Sequence, residues 1–424
     1  MKMNKSLFFA YPVMFFLSLL LSGSIFAVEP AEIFQQTTEF KGVVVDSRSG
    51  NEIASAYLTV VGTNISSITN ADGEFSIKIP VTLNQATISI SHLGYQSKTL
   101  PLSFFKAENT RVELDEIAEE LSEISIYDGG DALDLVRKMF DKKEDNYKDE
   151  PILMTAFYRE TIKKGRRNVS LSEAVVKIYK APYDSNARDE ISLFKARKTA
   201  DYDKLDTLAL KLRGGPYNTL YVDVIKYPQY LIEPNMLNDF KFDFDAPVRL
   251  DNQNLYVVNF ESHDKSVPWY YGKLFIDTET LSLARASFKL NVDNRNLASQ
   301  MFVRKKPRGA RVYPIDVSYQ VDYRKSEGKW QYGYGTANLV FVVNWKNKLF
   351  NSRYTVNGEM AVTNWETLPD FKVKKDNSFI SPSVVMSDDV SGFTDVDFWG
   401  DNNIIEPEKS IQNAIKKIKR QLDD

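Results

Sequence analysis

The 424-residue sequence predicts a mainly β protein: an N-terminal seven-stranded β-sandwich, then a long antiparallel meander or half-barrel with a few helices. Three observations support this prediction. The chain contains 26 Phe, 22 Tyr and 5 Trp, and aromatic residues are enriched in strands. Short alternating segments separated by turn residues fill residues 40–115, which is typical of a small sandwich. From Met154 onward, apolar and polar residues alternate with a period of two.

The predicted sandwich occupies residues 40–115. Asn70 to Gly73 is predicted to be a hairpin turn in which Gly73 takes a positive φ. A calcium loop is the alternative, but the twelve-residue ligand spacing that it requires is missing. The predicted strands are Phe40 to Asp46, Tyr57 to Val61, Ile65 to Thr69, Phe75 to Ile79, Ala86 to His92, Gln96 to Leu102 and Thr110 to Leu114.

The segment Gly42 to Leu114 resembles the carboxypeptidase-like regulatory domain. The residues that carry the resemblance are Gly42 to Asp46, Asn70 to Phe75 and Ser91 to Tyr95. The resemblance implies a transthyretin- or immunoglobulin-like sandwich of the kind that recurs on bacterial envelope proteins. It implies no catalytic residues.

Residues 116–152 are predicted to connect the sandwich to a second domain. Leu121, Ile124 and Ile126 alternate as in a strand that either extends the sandwich sheet or serves as a linker strand. Asp131 follows a glycine pair and is predicted to cap an amphipathic helix from Asp131 to Lys143.

Residues 153–365 are predicted to form the antiparallel β-domain. Arg159 and Glu173 are expected to pair across neighbouring strands, and Gly333 with Gly335 is expected to mark a bend or bulge. A helix is predicted from Asn218 to Lys226. The predicted strands are Met154 to Lys163, Asn168 to Lys180, Phe240 to Leu250, Leu255 to Glu261, Tyr270 to Asp277, Leu283 to Asn291, Val312 to Tyr323, Trp330 to Val343 and Ser352 to Val362.

Three of these strands carry a second, weaker resemblance. Leu255 to Glu261, Lys273 to Asp277 and Leu283 to Ala286 resemble the central strands of periplasmic lipoprotein-carrier half-barrels. In those proteins a concave sheet under a helical lid holds acyl chains. The resemblance therefore implies a half-barrel with a site for a lipid-like ligand.

Residues 366–424 are predicted to be a turn-rich tail with a terminal helix. The acidic stretch Asp388 to Asp401 is predicted to be a solvated loop. A site for a cation such as calcium is the alternative. The helix begins at Glu406 and is expected to pack on the β-domain; a free membrane-surface helix is the alternative. Its apolar face is Ile411, Ala414, Ile415, Ile418 and Leu422.

Residues 1–27 have the layout of a secretory signal peptide: Lys2 and Lys5, then an apolar run from Leu7 to Leu21, then small residues. The mature chain is expected to begin near Val28, and an uncleaved anchor is the alternative. We expect an exported protein, periplasmic or outer-membrane associated in a Gram-negative envelope. The chain has no cysteine, which excludes disulfides and a lipid-modified cysteine. A formal charge of −3 gives no reason to expect a nucleic-acid partner.

The sequence predicts no catalytic, cofactor-binding or metal-binding residue. His92 and His263 are the two histidines, and neither has a Glu or a second His at the spacing of a zinc site. The resulting hypothesis is a non-catalytic envelope protein that binds a hydrophobic ligand or an outer-membrane protein partner. The alternatives are an accessory component of an outer-membrane nutrient transporter, and a hydrolase that uses carboxylates not singled out by the sequence.

Overall fold

The structure is a computed structural model that describes residues 36–117, 127–200, 215–250, 253–302, 309–346, 349–382, 395 and 397–423. Within these ranges the chain forms two four-stranded sheets and one ten-stranded sheet, so the predicted mainly β fold is confirmed. The predicted signal peptide and the linker strand through Leu121, Ile124 and Ile126 lie outside the described residues. No helix within the described ranges is long and apolar enough to cross a bilayer.

The two four-stranded sheets face each other as a sandwich. Their strands are β1 (Thr37–Asp46), β2 (Tyr57–Val60), β3 (Ser66–Ile68), β4 (Glu74–Pro80), β5 (Thr87–Ser91), β6 (Tyr95–Gln96), β7 (Lys98–Pro101) and β8 (Thr110–Glu116). One sheet has the order β4-β1-β8-β6 and the other β3-β2-β5-β7. Val44, Leu58, Phe75, Ile88 and Leu114 are fully buried between them.

The turn at Asn70 to Gly73 is present, but the hairpin predicted around it is wrong. Gly73 has a φ of +68°, and the Asn70 side chain accepts hydrogen bonds from the backbone N–H of Asp72 and Glu74, each 2.9 Å long. The flanking strands β3 and β4 nevertheless pair with β2 and β1, in opposite sheets. The side-chain bonds close this turn without a ladder between its arms, so the chain can cross from one sheet to the other.

The predicted strand from Gln96 to Leu102 is also divided between sheets. Its first residues belong to β6, which pairs with β8, and the rest to β7, which pairs with β5. The described sandwich therefore contains eight short strands.

Two helices connect the sandwich to the second domain: α1 (Ala132–Asp141) and α2 (Lys143–Asn146). Asp131 caps α1, because its side chain accepts a 2.9 Å hydrogen bond from the N–H of Asp134. The buried face of α1 includes Leu135, Val136 and Met139. The predicted helix and its cap are confirmed.

The second domain is built on an open ten-stranded antiparallel sheet. Its strands are β9 (Ile152–Lys164), β10 (Arg167–Lys180), β11 (Glu190–Ala200), β12 (Phe240–Leu250), β13 (Gln253–Ser262), β14 (Tyr270–Asp277), β15 (Leu283–Leu290), β16 (Ala310–Ser326), β17 (Lys329–Trp345) and β18 (Ser352–Thr367). The order is β11-β10-β9-β18-β17-β16-β15-β14-β13-β12. Two meanders are thus joined where β9 pairs with β18, across about 200 residues of sequence.

Three further helices belong to this part of the chain: α3 (Pro216–Leu220), α4 (Arg295–Phe302) and α5 (Lys409–Asp423). The predicted helix from Asn218 to Lys226 is wrong in its extent, because the chain turns after Leu220. The Asp223 side chain closes that turn, because it accepts a 3.2 Å hydrogen bond from the backbone N–H of Lys226. Strand β11 and helix α4 were not predicted. β11 is a polar edge strand, and α4 buries only Ala298, so neither has a clear apolar period.

The ten-stranded sheet has two covered faces, and alternate residues of each strand point to each. Helices α1 and α3 cover one, the helix face, where Tyr158 is buried. The sandwich and the tail cover the other, the sandwich face, where Phe157 packs against Trp399. The open sheet is therefore buried on both sides over its central strands.

Polar contacts fix the sandwich to the sandwich face. Tyr57 donates a 3.0 Å hydrogen bond to Asp322, whose carboxylate also pairs with buried Arg285 at 2.6 Å. Arg324 lies over the rings of Tyr57 and Trp365, with its guanidinium 5.3 and 5.1 Å from their centroids. The sandwich and the ten-stranded sheet therefore meet through desolvated charges as well as apolar contacts.

The terminal helix α5 packs on the sandwich face of β10, as predicted. Ile411 is buried against Leu171, and Ile415 and Ile418 are partly buried beside them. The side chain of Leu422 lies outside the described residues.

Candidate functional site

An apolar cavity lies on the helix face of the ten-stranded sheet, between the sheet and helices α3 and α4. Its volume is about 180 Å³. Residues from strands β9, β14 to β18 and the segment after α3 line it. The lining is Tyr158, Asn218, Tyr221, Val222, Tyr230, Tyr270, Phe288, Phe302, Tyr319, Ala337, Leu339 and Gly358.

Stacked aromatic rings form much of the cavity wall. Phe288 and Tyr319 stack with centroids 5.3 Å apart, and Tyr270 contacts both rings edge-on. Tyr221 and Tyr230 stack at 5.0 Å, and Tyr230 is 46% exposed, which places it at the edge of the cavity. Such ring clusters are rigid and largely apolar, so they preform a site for an apolar ligand.

The cavity wall is uncharged at neutral pH. None of the described lining residues carries a carboxylate, an imidazole or a basic group. Burial raises the pKa of Tyr270 to about 12, and a contact with Tyr319 only partly offsets this effect. The Nδ2 atom of Asn218 is buried without a hydrogen-bond partner, so the wall offers one unused donor. The arrangement can hold an apolar group beside one acceptor atom.

The segment 215–239, which we call the cover segment, is held to the sheet by a buried polar cluster. Asp223 accepts hydrogen bonds of 2.9 Å from the hydroxyls of Tyr183 and Tyr323. Lys180 lies 2.7 Å from the carboxylates of Asp223 and Asp189, and all three charged groups are almost completely buried. Burial alone lowers the pKa of Lys180, but the two carboxylates outweigh it and raise that pKa overall.

A glycine in β17 lets α3 approach the sheet closely. A Cβ atom at Gly335 would lie 2.6 Å from the carbonyl oxygen of Thr219 and 2.4 Å from the Tyr332 hydroxyl. That hydroxyl donates a 3.0 Å hydrogen bond to the same carbonyl. Gly333, two residues earlier, lies at a register shift in the pairing of β16 with β17, so the predicted bulge is confirmed.

Gly335→Ala is expected to lower the free energy of unfolding by about 1–3 kcal/mol, because the added methyl group must displace α3. Gly358→Ala is the matched control: its Cβ would have Thr219 Cγ2 as nearest neighbour at 3.6 Å, an ordinary contact. That control is expected to change stability by less than about 0.5 kcal/mol. Urea denaturation of both variants checks the prediction, and equal stabilities would contradict it.

The structure places the two histidines away from the cavity. His92 is half-buried beside Tyr95, and burial, with the nearby Arg285, lowers its pKa to about 4. His263 is exposed in its loop. Among the described residues no group of three or more His, Cys, Asp or Glu side chains could hold a metal ion. Most of Asp388 to Asp401 lies outside the described residues, so the solvated loop predicted there and its alternative, a cation site, both stay untested.

Arg159 and Glu173 pair as predicted, on the sandwich face. Glu173 Oε1 lies 2.8 Å from Arg159 Nε, and its other oxygen lies 2.8 Å from Arg197 Nε. Arg159 also donates a 2.8 Å hydrogen bond to the carbonyl of Ile405. The pair is therefore part of a buried network that holds the tail on the sheet.

None of the cavity residues was predicted from the sequence as part of a site. Their aromatic content was visible, but the lining is drawn from residues 158 to 358 and assembles only when β9 pairs with β18. The weaker resemblance to carrier half-barrels was the one signal that pointed to a ligand site on this sheet.

Fold and cavity together define a mainly β protein in which a small sandwich packs on an open ten-stranded sheet that carries an apolar cavity. Residues 40–126 match the family model described as the CarboxypepD_reg-like domain. This match confirms the resemblance predicted for Gly42 to Leu114. No curated protein sequence matches the chain significantly.

Three solved structures show a low similarity to the chain. One is a domain described as an outer membrane lipoprotein-sorting protein from Vibrio parahaemolyticus, with 8% identity and a TM-score of 0.25, covering 56% of this chain and 92% of that one. A LolA superfamily protein from Nitrosomonas europaea has 10% identity and a TM-score of 0.20, covering 57% and 96%. The MucA/MucB complex of Pseudomonas aeruginosa gives 12% identity and a TM-score of 0.18, covering 56% and 98%.

Proposed function

We propose that the protein is a non-catalytic, exported cell-envelope protein whose half-barrel binds the apolar part of a lipid-like ligand. The observation that carries the proposal is the cavity under the cover segment, with its aromatic, uncharged wall. The CarboxypepD_reg-like match and the signal-like residues 1–27 support the envelope location. Association with an outer-membrane partner is a further part of the proposal, and co-purification from detergent-solubilised membranes tests it.

The size of the cavity limits what it can hold. Apolar cavities of roughly 150 Å³ bind a ligand the size of benzene. At about 180 Å³ this cavity accommodates a ring or a short length of acyl chain. A longer chain must continue past the exposed edge at Tyr230.

The wall does not favour a hydrolase. A pair of carboxylates or a histidine with a nucleophile must face the substrate for hydrolytic chemistry. The described residues around this cavity offer tyrosine hydroxyls and the Asn218 amide instead. Binding is therefore the function that this cavity supports best.

Ala337→Phe is expected to weaken the binding of an apolar probe by at least tenfold, because the larger side chain fills the cavity. Ala337 is buried in the wall, opposite Tyr319 on one neighbouring strand and Gly358 on the other. Fluorescence titration with 1-N-phenylnaphthylamine measures the affinity, and displacement by a fatty acid or a lysophospholipid tests for a lipid-like ligand.

Ala337→Ser is the control, since it leaves the cavity volume nearly unchanged and is expected to bind the probe like the wild type. Melting temperatures of both variants show whether the fold is retained. A wild-type protein that does not bind the probe, or an Ala337→Phe variant that binds it normally, would reject the proposal.

A further inference from the structure

The connection between β17 and β18 exposes two large apolar side chains. Leu349 is 91% exposed and Phe350 is 78% exposed, the two highest values among large apolar side chains in the described ranges. We call this pair the apolar tip. Exposing two adjacent large side chains to water is unfavourable, and a surface that covers them gains the free energy of their burial.

Basic side chains surround the apolar tip on neighbouring strand ends. The N–H of Gly165 donates a 2.9 Å hydrogen bond to the carbonyl of Arg353, and the N–H of Lys346 donates a 3.1 Å hydrogen bond to the carbonyl of Gly309. The ends of the neighbouring strands therefore lie side by side. The exposed basic residues there, which we call the basic rim, are Arg166, Arg167, Arg311, Lys346 and Arg353.

The charge of the basic rim differs from that of the whole chain. The protein has 57 acidic and 54 basic residues, yet the segments 163–168 and 344–354 contain no acidic residue. The rim runs across the ends of five adjacent strands, from β10 to β16, a distance of about 20 Å at the usual strand spacing. A positive band of this length can contact several anionic headgroups at once.

Helix α4 extends the apolar surface from the rim toward the cavity. Leu297 and Met301 are one helical turn apart, and both are exposed, at 37% and 46%. The next residue, Phe302, lines the cavity and packs against Phe341. One short helix therefore presents apolar side chains both to solvent and to the cavity.

We propose that this end of the half-barrel docks on a bilayer that contains anionic phospholipids, with the apolar tip inserted at the interface and the basic rim on the headgroups. Exposed apolar residues flanked by basic ones are the combination that binds anionic membrane surfaces. A purely apolar protein partner would leave the positive band uncompensated. The inference goes beyond the proposed ligand site, because docking requires no ligand in the cavity.

Vesicle flotation tests the proposal with the full-length protein. Wild type is expected to float with phosphatidylglycerol-containing vesicles at low salt, and to float at least tenfold less with pure phosphatidylcholine vesicles or at 0.5 M salt. The tip variant, Leu349→Ser with Phe350→Ser, is expected to partition onto anionic vesicles at least tenfold less than wild type. The rim variant, Arg166→Gln with Arg167→Gln and Arg353→Gln, is expected to show at least the same decrease in partitioning.

Two control variants carry the same kinds of change on the sandwich. Phe104→Ser removes a 42% exposed aromatic ring, and Arg48→Gln with Lys106→Gln removes exposed basic charge. Both are expected to float like wild type, and unchanged melting temperatures confirm that all variants fold.

Three results would overturn the proposal. Equal flotation of wild type with anionic and neutral vesicles would show that the basic rim does not bind anionic headgroups. Normal flotation of the tip and rim variants would place the membrane contact elsewhere. A loss confined to the rim variant, with the tip variant unaffected, would show a purely electrostatic contact with headgroups and would overturn the insertion of the apolar tip.

Discussion

Glu173→Gln is expected to lower the free energy of unfolding by about 3–5 kcal/mol, because it leaves two buried guanidinium groups without their shared carboxylate. Glu173 is fully buried, and its two oxygens accept hydrogen bonds from Arg159 and Arg197. Glu359 lies 3.4 Å from Arg159 Nη1 and stays as a second, longer ion pair of that arginine. Urea denaturation at pH 7 measures the change.

The same substitution is expected to loosen the tail. Arg159 holds the carbonyl of Ile405 at 2.8 Å, and the Arg197 guanidinium lies 4.9 Å from the Trp399 ring centroid. When these arginines reorient toward water, limited proteolysis should cut near residues 397–408 faster than in the wild type.

The control for this prediction is Asp243→Asn, in an exposed pair with Lys241 at 2.5 Å. Exposed pairs contribute at most about 1 kcal/mol, so this variant is expected to keep nearly wild-type stability. A Glu173→Gln variant that also unfolds within about 1 kcal/mol of wild type would show that its network does not hold the tail.

The pH dependence of Glu173 has a defined sign. Burial raises the pKa of its carboxyl, but the guanidinium groups of Arg159 and Arg197 outweigh burial and lower that pKa overall. Its stabilisation is thus complete above the unfolded-state pKa of about 4.3, and is lost as the pH falls through the lower folded-state pKa. The Glu173→Gln variant is expected to lack this part of the acid-induced loss of stability.

Local pairs could be predicted from the sequence, and networks could not. Arg159 and Glu173 lie on strands joined by a short turn, so their register follows from the turn. Arg197, the other arginine bound to Glu173, lies on β11, an edge strand whose polar composition hides its period. The Arg159–Glu173 pair could therefore be predicted as a cross-strand ion pair. Its burial and its contact with Arg197 could not be predicted.

The cavity depended on a contact between distant parts of the chain. Hydrophobic alternation identified β9 and β18 as strands, but nothing in their composition shows that they pair with each other across about 200 residues. That pairing brings Tyr158 beside Gly358 and converts two meanders into one sheet. Helix α3 could be predicted only in part, since the turn after Leu220 depends on buried contacts of Asp223 with Tyr183 and Tyr323.

Asp223→Asn is expected to lower the free energy of unfolding by about 3–5 kcal/mol, because the buried ammonium of Lys180 loses one of its two carboxylates. The raised pKa of Lys180 gives the pH range of this effect. The stabilisation is complete below the unfolded-state pKa of about 10.4 and is lost as the pH rises through the higher folded-state value, so a measurement at pH 7 captures it fully.

Asp223→Asn is also expected to weaken binding of 1-N-phenylnaphthylamine by at least tenfold, because the cover segment supplies Asn218, Tyr221 and Val222 to the cavity wall. Tyr183→Phe is the matched control: it removes one hydrogen bond to Asp223 but keeps both charges, and is expected to cost about 1 kcal/mol with probe affinity nearly unchanged. A stability loss without a loss of affinity would show that the cavity forms independently of this cluster. A loss of both would mean that one buried charge both stabilises the fold and shapes the ligand site.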